Sequence, residues 1–479
     1  MKKVFLALTL ALLMFGIAAC KKDEQDNNLK IAVFLGGYGD SWIRNLANDF
    51  MEENEGVTVE IEATRQVQSD ITSRLVNGSD DDIFMSHGIF WERAAVLDQL
   101  EPLDDLYEME VENGLTVADS LSDEFKETSQ YNGHYYKVPY TNGVGGIIYN
   151  KKMFEDNGWE VPTTYDELMA LSQTIADAKI KVDPTNTKPN ADVVKPFVWS
   201  QETYYWDYVV YDWWAQLAGV DKIKEYTNLT SAEVFNPASS ASPEKLEALD
   251  AWTNLIAKNP DWSMENSNGK QYIAAQLDFA NGYAAMIPNA QWLEGEMAGS
   301  IDPDVCEMAL MPTPFLEDAQ TDSEGNYIPV NYTVGFGDSI IIPKYSNSKD
   351  LAKEFIAFMA RQSSLKTFTE KTSGAMLAFN YDPNMDLSNL SAFSQQVFNI
   401  NQTANKFNLY SNNSAVLEGD LDLQWPMNGV QPYSEIYNHY NNLEYLKDKD
   451  NPNFVHYDTY SYLNSKYNTI KAQWDDLMD

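Results

Sequence analysis

The stretch VPYTNGVGGIIYNKKMFEDNGWEVPTTYDELMALSQTIADA, Val138 to Ala178, decides how the rest of the chain is read. Thr141 to Gly146 holds three glycines and an asparagine, so the backbone there is unusually free to turn. Ile147 to Tyr149 follows as a short apolar strand. Asn150 is placed to cap a short helix ending at Gly158, a residue suited to the left-handed terminator. After Pro162 and Thr163, Thr164 with Glu167 three residues on is a capping-box pattern. The helix it opens carries Leu168, Leu171 and Ile175 on one face. A flexible crossing followed by a strand and a punctuated helix is either one more βα unit of a large α/β protein or a hinge between two lobes.

Working outward, 479 residues exceed one ordinary core and suggest two lobes. An aromatic content of 13%, with 12 Trp and 28 Tyr, argues against disorder. Residues 1–19 read as a signal peptide: Lys2 and Lys3, an apolar run too short to span a membrane, then Ile17-Ala18-Ala19. Small residues directly before Cys20 look like a bacterial lipobox, with cleavage before Cys20 and lipid on its thiol; the alternative is an ordinary signal peptide with Cys20 incidental. Residues 20–28 then form a polar tether. Cys306 is left as the single cysteine of the mature domain, without an intrachain partner, and reads as a small buried hydrophobe. A formal charge of −39 repels nucleic acid and anionic headgroups, so membrane attachment falls to the lipid alone.

Several corners carry ligand-type side chains. The strand Lys30 to Leu35 runs into Gly36-Gly37-Tyr38-Gly39-Asp40 and then a helix, the ingredients of a ligand loop at a sheet edge. No Lys-Ser/Thr pair follows, so phosphate and nucleotide cofactors are rejected, and no cofactor is expected. Arg65 ends a second strand, His87 a third, and Tyr140 lies at the hinge. Asp80 to Asp82 lacks the alternating spacing of a calcium loop. In the aromatic run Phe197 to Gly219, Trp206, Val209, Val210, Trp213, Trp214 and Leu217 lie at helical spacing and read as core. The corner before them offers Trp199, Gln201, Glu202 and Tyr204, aromatic faces for pyranose rings beside acceptors for hydroxyls.

Four regions together resemble the bacterial extracellular solute-binding proteins, the sugar-binding group that serves ABC importers. They are the run YNKKMF…NGW..P.TYDEL after the crossing, Asp98-Gln99-Leu100-Glu101-Pro102-Leu103, the F..G.AAM……W element from Phe279 to Trp292, and the glycine corner Gly335 to Asp338 with the helix after it. The likeness covers most of residues 29 to 380. It implies an α/β, two-lobe periplasmic-binding-protein-like fold with a hinge and an interlobe cleft. Lobe 1 would hold 29–141 plus about 338–390, and lobe 2 about 142–337 plus 391–479. Asn289, Trp292, Phe336, Asp338 and a late aromatic, Trp425, join the candidate ligand residues. The implied partners are a sugar, perhaps an oligosaccharide, and permease subunits with a separate ATPase; the receptor would be a monomer. A polyol or polyamine stays open, and Arg65 serves either an anionic sugar or a structural ion pair.

Two other classes compete. Among 72 carboxylates some pair will approach closely enough for glycoside hydrolysis, but no spacing singles one out. Neither a G-x-S-x-G elbow nor an H-E-x-x-H motif occurs, and the four His are scattered, so no catalytic residue and no metal site are assigned. An adhesion or sensory lipoprotein would share the lipobox and acidity without needing a hinge.

Overall fold

The computed structural model describes residues 27–478 except 187–191, 201–204, 240, 258, 266, 336 and 410–458. Cys20, Glu202, Tyr204, Phe336 and Trp425 therefore lie outside the described residues.

Two sheets organise the chain. The first has the strand order Thr58–Thr64, Asn28–Phe34, Ile83–Ser86, Ser339–Ile341, Val138–Pro139. Its first three strands are parallel and Ser339–Ile341 runs against them. Successive residues point to opposite faces. Ile31, Val33, Ile83, Met85 and Ile340 thus share one core with Trp42 and Phe355, while Ala32, Phe84 and Ile341 share another with Val67 and Trp91. Helices on both faces explain why the inner stretches Ile31–Phe34, Ile83–Met85 and Ile340–Ile341 are apolar on successive residues, whereas the edge strand Thr58–Thr64 alternates.

The second sheet has the order Lys195–Phe197, Ala284–Ala290, Gly143–Asn150, Asn331–Val334, Lys406–Phe407, with Met308–Met311 also pairing Gly143–Asn150. The helix Asp207–Ala218 buries Trp213 and Trp214 completely beneath it. Trp206 stacks on Trp252 with ring centres 5.4 Å apart and planes 9° from parallel. The core reading of that aromatic run holds: Trp206, Val209, Val210, Trp213, Trp214 and Leu217 are all buried.

The chain passes between the sheets where the first stretch promised. Val138 and Pro139 pair with Ile340 and Ser339 in the first sheet, and Gly143 and Val144 pair with Val334 and Thr333 in the second. The two crossings therefore run side by side and antiparallel. A third passage leads from the helix Gln362–Lys371, whose Leu365 and Phe368 belong to the first core, to Ala392–Thr403, whose Phe393 and Val397 join a core of the second sheet.

Local signals held where side chains cap backbone. Asn150 accepts from Met153 N–H, Gly158 is left-handed, and Thr164 with Glu167 closes a full capping box for Tyr165–Ala178. Other boundaries moved. The glycine run is not a loose turn but the first half of the central strand Gly143–Asn150, buried throughout. Two of its glycines are required by neighbours: an ideal Cβ on Gly143 would overlap Gln291 Nε2, and one on Gly145 would stand 2.5 Å from the Tyr208 ring, while Gly146 is set by its φ of +151°. Cys306 is buried, and burial pushes its thiol up to about 12.

Candidate ligand cleft

A cavity of about 620 Å³ opens between the two sheets. Its first wall comes from loops at strand ends of the first sheet: Gly36 to Tyr38 after Asn28–Phe34, Arg65 after Thr58–Thr64, and His87 after Ile83–Ser86. Phe34, Gln68 and Tyr140 complete it. The opposite wall carries Tyr205, Tyr208, Tyr272, Trp292 and Glu296, and the hinge corner contributes Gly335 and Asp338. Ligands of open α/β folds commonly bind outside strand ends in this way.

The first wall is rich in polar and charged groups. The Tyr38 hydroxyl accepts a hydrogen bond from Gln291 Nε2 at 3.2 Å, and burial raises its pKa. His87 stands edge-on to Phe34, ring centres 4.4 Å apart. Asp338 Oδ2 accepts from Thr141 Oγ1 at 2.9 Å. Burial pushes the Asp338 carboxyl upward, while His87, Thr141 and Lys137 pull it back. Lys137 lies behind, fully buried and 5.3 Å over the Trp91 ring. Desolvation brings its ammonium down to about 8 against the attraction of Glu92 and Asp338.

The second wall is largely aromatic. Tyr205 lies 5.3 Å from Trp292 and stacks 5.9 Å from Tyr208, which in turn stacks 5.7 Å from Tyr332. These rings form a continuous surface able to cover apolar C–H faces while their edges and hydroxyls remain polar. Glu296 Oε2 accepts from Gln276 Nε2 at 2.7 Å. Burial raises its carboxyl, opposed by Gln276 and by the positive charge of Arg65 across the cleft. The walls touch: an ideal Cβ on Gly37 would lie 2.8 Å from Trp292 Cβ. Among the described residues, no group of three or more His, Cys, Asp or Glu converges as a metal site.

Of the residues singled out from sequence, Tyr38, Arg65, His87, Tyr140, Trp292 and Asp338 come together here. Three others are elsewhere. Asp40 pairs with Arg44 one helical turn on, at 2.8 Å. Trp199 is buried, its Nε1 donating to Ser263 Oγ at 3.2 Å, because the segment ending in Met264 packs over this strand end. Asn289 lies within the strand Ala284–Ala290, which continues past the expected turn; it is 1% exposed and accepts from Ala290 N–H. Phe34, Gln68, Tyr205, Tyr208, Tyr272 and Glu296 were missed. Tyr205 and Tyr208 sat in the noticed aromatic run, one position before and two after the helix-face residue Trp206. Gln68 and Glu296 carried no sequence signal.

The family model of bacterial extracellular solute-binding proteins matches residues 36–364. The chain belongs to this family. It is 25% identical over 363 residues to the diacetylchitobiose binding protein NgcE of Streptomyces coelicolor, covering 74% of this chain and 69% of that protein. It is 23% identical over 301 residues to the multiple sugar-binding protein of Streptococcus mutans, covering 61% and 65% respectively. The apo structure of RafE from Streptococcus pneumoniae superposes with a TM-score of 0.63 at 15% identity, covering 93% of this chain and 99% of that one. At that identity the likeness is one of fold: two lobes with a hinge and a cleft. Among the described residues, no helix is long and apolar enough to cross a membrane.

Proposed function

We propose that this protein is the carbohydrate receptor of an ABC importer, taking an oligosaccharide into the cleft and delivering it by hinge closure. The observation that carries the reading is the pairing of walls, an aromatic surface from Tyr205 to Trp292 facing hydrogen-bonding groups at Tyr38, His87 and Asp338. Stacking on ring C–H faces and hydrogen bonds to hydroxyls are the two demands of a sugar. The sugar-binding names of the relatives support the same class.

In this reading lobe 1 comprises 29–141 with about 338–390, and lobe 2 about 142–337 with 391–479. Sugar held by one wall gains contacts from the other, shifting the open–closed equilibrium. Lipid on Cys20 holds the monomeric receptor at the outer face of the membrane, where the closed form docks on permease subunits served by a separate ATPase. The sugar leaves unchanged, a reading supported by the sugar-binding names of the relatives.

A thermal-shift screen with mono- and oligosaccharides, polyols, amino acids and short peptides tests this. A ligand at 100 times its Kd stabilises the fold by about 2.7 kcal/mol. The expected result is a hit among oligosaccharides, recovered chemically intact. A hit converted to product would replace the receptor with an enzyme, and a hit confined to amino acids or peptides would remove the sugar.

A further inference from the structure

Among the described residues three passages join the two sheets, and they are tied together at Asn142. Tyr140 to Asn142 is fastened to the first sheet's side: Asn142 N–H donates to Met376 O, Ala378 N–H donates to Tyr140 O, and Thr141 bridges Leu377. Met376 and Leu377 belong to the first sheet's core. From Gly143 onward the same chain pairs with Val334 and Thr333 in the second sheet. Asn142 is therefore the last residue held by one side before the other takes over, where a change in the angle between the sheets must be absorbed.

The groups that grip it come from the second side. Asn401 Nδ2 donates to Asn142 O at 2.6 Å. Lys406 Nζ donates to Asn142 Oδ1 at 3.0 Å and to Asn401 Oδ1 at 2.8 Å. Asn401 lies on the helix Ala392–Thr403, which Gln396 ties to Leu310 of the second sheet. Lys406 starts the edge strand Lys406–Phe407, paired with Asn331 and Tyr332. Two residues on, Asn408 Nδ2 donates at 2.6 Å to Glu124 Oε1, on the helix Asp123–Glu127 whose Phe125 packs with Ala378. One short segment thus clasps the pivot and reaches across to the first side. None of Glu124, Asn142, Asn401, Lys406 and Asn408 lines the cavity. Burial brings the Lys406 ammonium down to about 8 against the attraction of Glu124. An apolar side chain would avoid that desolvation cost, so the donors of Lys406 rather than its bulk account for its place here.

We propose that Lys406 is a positioning residue of the hinge: by holding Asn142 it sets the resting angle between the two sheets, with Asn408 on Glu124 as an outer stay. The geometry stands without the receptor reading, and the consequence for binding rests on it. With Gly37 already against Trp292, the halves have no room to close further than in this structure. A pivot released from Lys406 is therefore free to move toward opening. The empty receptor then spends less time near the closed form, and the sugar must supply more of the closing free energy.

Small-angle scattering on the purified, ligand-free protein reads the angle, and thermal denaturation reads stability. Lys406→Met keeps the stem and removes the donors; Asn142→Leu removes the acceptor, and Asn142→Asp keeps it. The expected result is a larger radius of gyration in Lys406→Met and in Asn142→Leu, no further increase in the double variant because both break the same contact, and a parent-like value in Asn142→Asp. A radius unchanged in the folded single variants, with only the melting temperature lowered, assigns Lys406 to stability and overturns the proposal. So does an Asn142→Asp variant as open as Asn142→Leu. Should Lys406→Met or Asn142→Leu not fold, Asn408→Ala removes only the outer stay; it is expected to open the empty protein by a smaller amount, and a parent-like radius there overturns the proposal. The scattering uses no sugar, so its failure counts against the hinge clasp alone, and a failed thermal-shift screen counts against the receptor reading alone.

Discussion

The two walls of the cleft are built by different rules. The first is made of loop residues at the ends of parallel strands, each contributing one group: Tyr38, Arg65, His87. The second is a patch of rings, with Tyr205 and Tyr208 bracketing the start of a helix and Trp292 following a strand, packed on one another before any ligand arrives. Single groups at strand ends fix direction, because each hydrogen bond has its own geometry. A pre-packed aromatic surface supplies area at little entropic cost and tolerates sliding. The division implies that affinity resides mainly in the second wall and discrimination mainly in the first.

The largest effect should come from breaking the second wall. Trp292→Ala is expected to cost about 2–4 kcal/mol of binding by calorimetry, as for aromatic anchors that a ligand covers. An equal loss from His87→Ala would erase the distinction between the walls. Next comes their contact. Gly37→Val places a branched side chain where even a single Cβ would stand 2.8 Å from Trp292 Cβ. It should weaken binding by about 1–3 kcal/mol, with the melting temperature of the empty protein nearly unchanged, since the wedge acts on closure rather than on either core. Smaller still is Arg65→Ala, an exposed group facing Glu296. For a neutral sugar the expected loss is within about 1 kcal/mol. A much larger loss confined to a uronic-acid oligosaccharide would assign Arg65 to a ligand carboxylate.

A last prediction separates wall from core. Asp212, buried beneath the second wall, accepts from Tyr332 N–H at 2.7 Å and from Thr313 Oγ1 at 2.5 Å. Burial outweighs these bonds and pushes its carboxyl up to about 8. Between the ordinary carboxylate range and pH 8 the folded state therefore holds a proton that the unfolded state has released. Its contribution favours folding at low pH and is lost as pH rises through that window. Asp212→Asn should flatten this slope in denaturation curves from pH 4 to 8, with sugar affinity little changed.

These differences also explain what the sequence disclosed. Caps, the hinge crossing and the helical face of the aromatic run were legible because each is encoded within a few adjacent residues: Thr164 with Glu167, Asn150 with Gly158. The first wall was largely legible for the same reason, since Arg65 and His87 directly follow strands and Tyr38 sits in the glycine loop after one. The second wall was not. Glu296 and Tyr272 reach the cleft through the packing of short elements far from the strand-end loops in sequence, and Asn289 was displaced from it because its strand runs to Ala290, three residues past the expected end at Ile287. Trp199 carried the composition of a sugar platform, yet a passing segment at Ser263 covers it. Gly145 is the converse: read as a turn, it is a strand residue whose missing side chain makes room for Tyr208.

Saturation-transfer difference NMR on a bound oligosaccharide, with the aromatic protons irradiated, tests the central claim most directly. The account predicts strongest transfer to the C–H protons on one face of a pyranose ring, falling sharply in Trp292→Ala. Transfer spread evenly over both faces, or unchanged in that variant, would contradict a sugar stacked on the second wall.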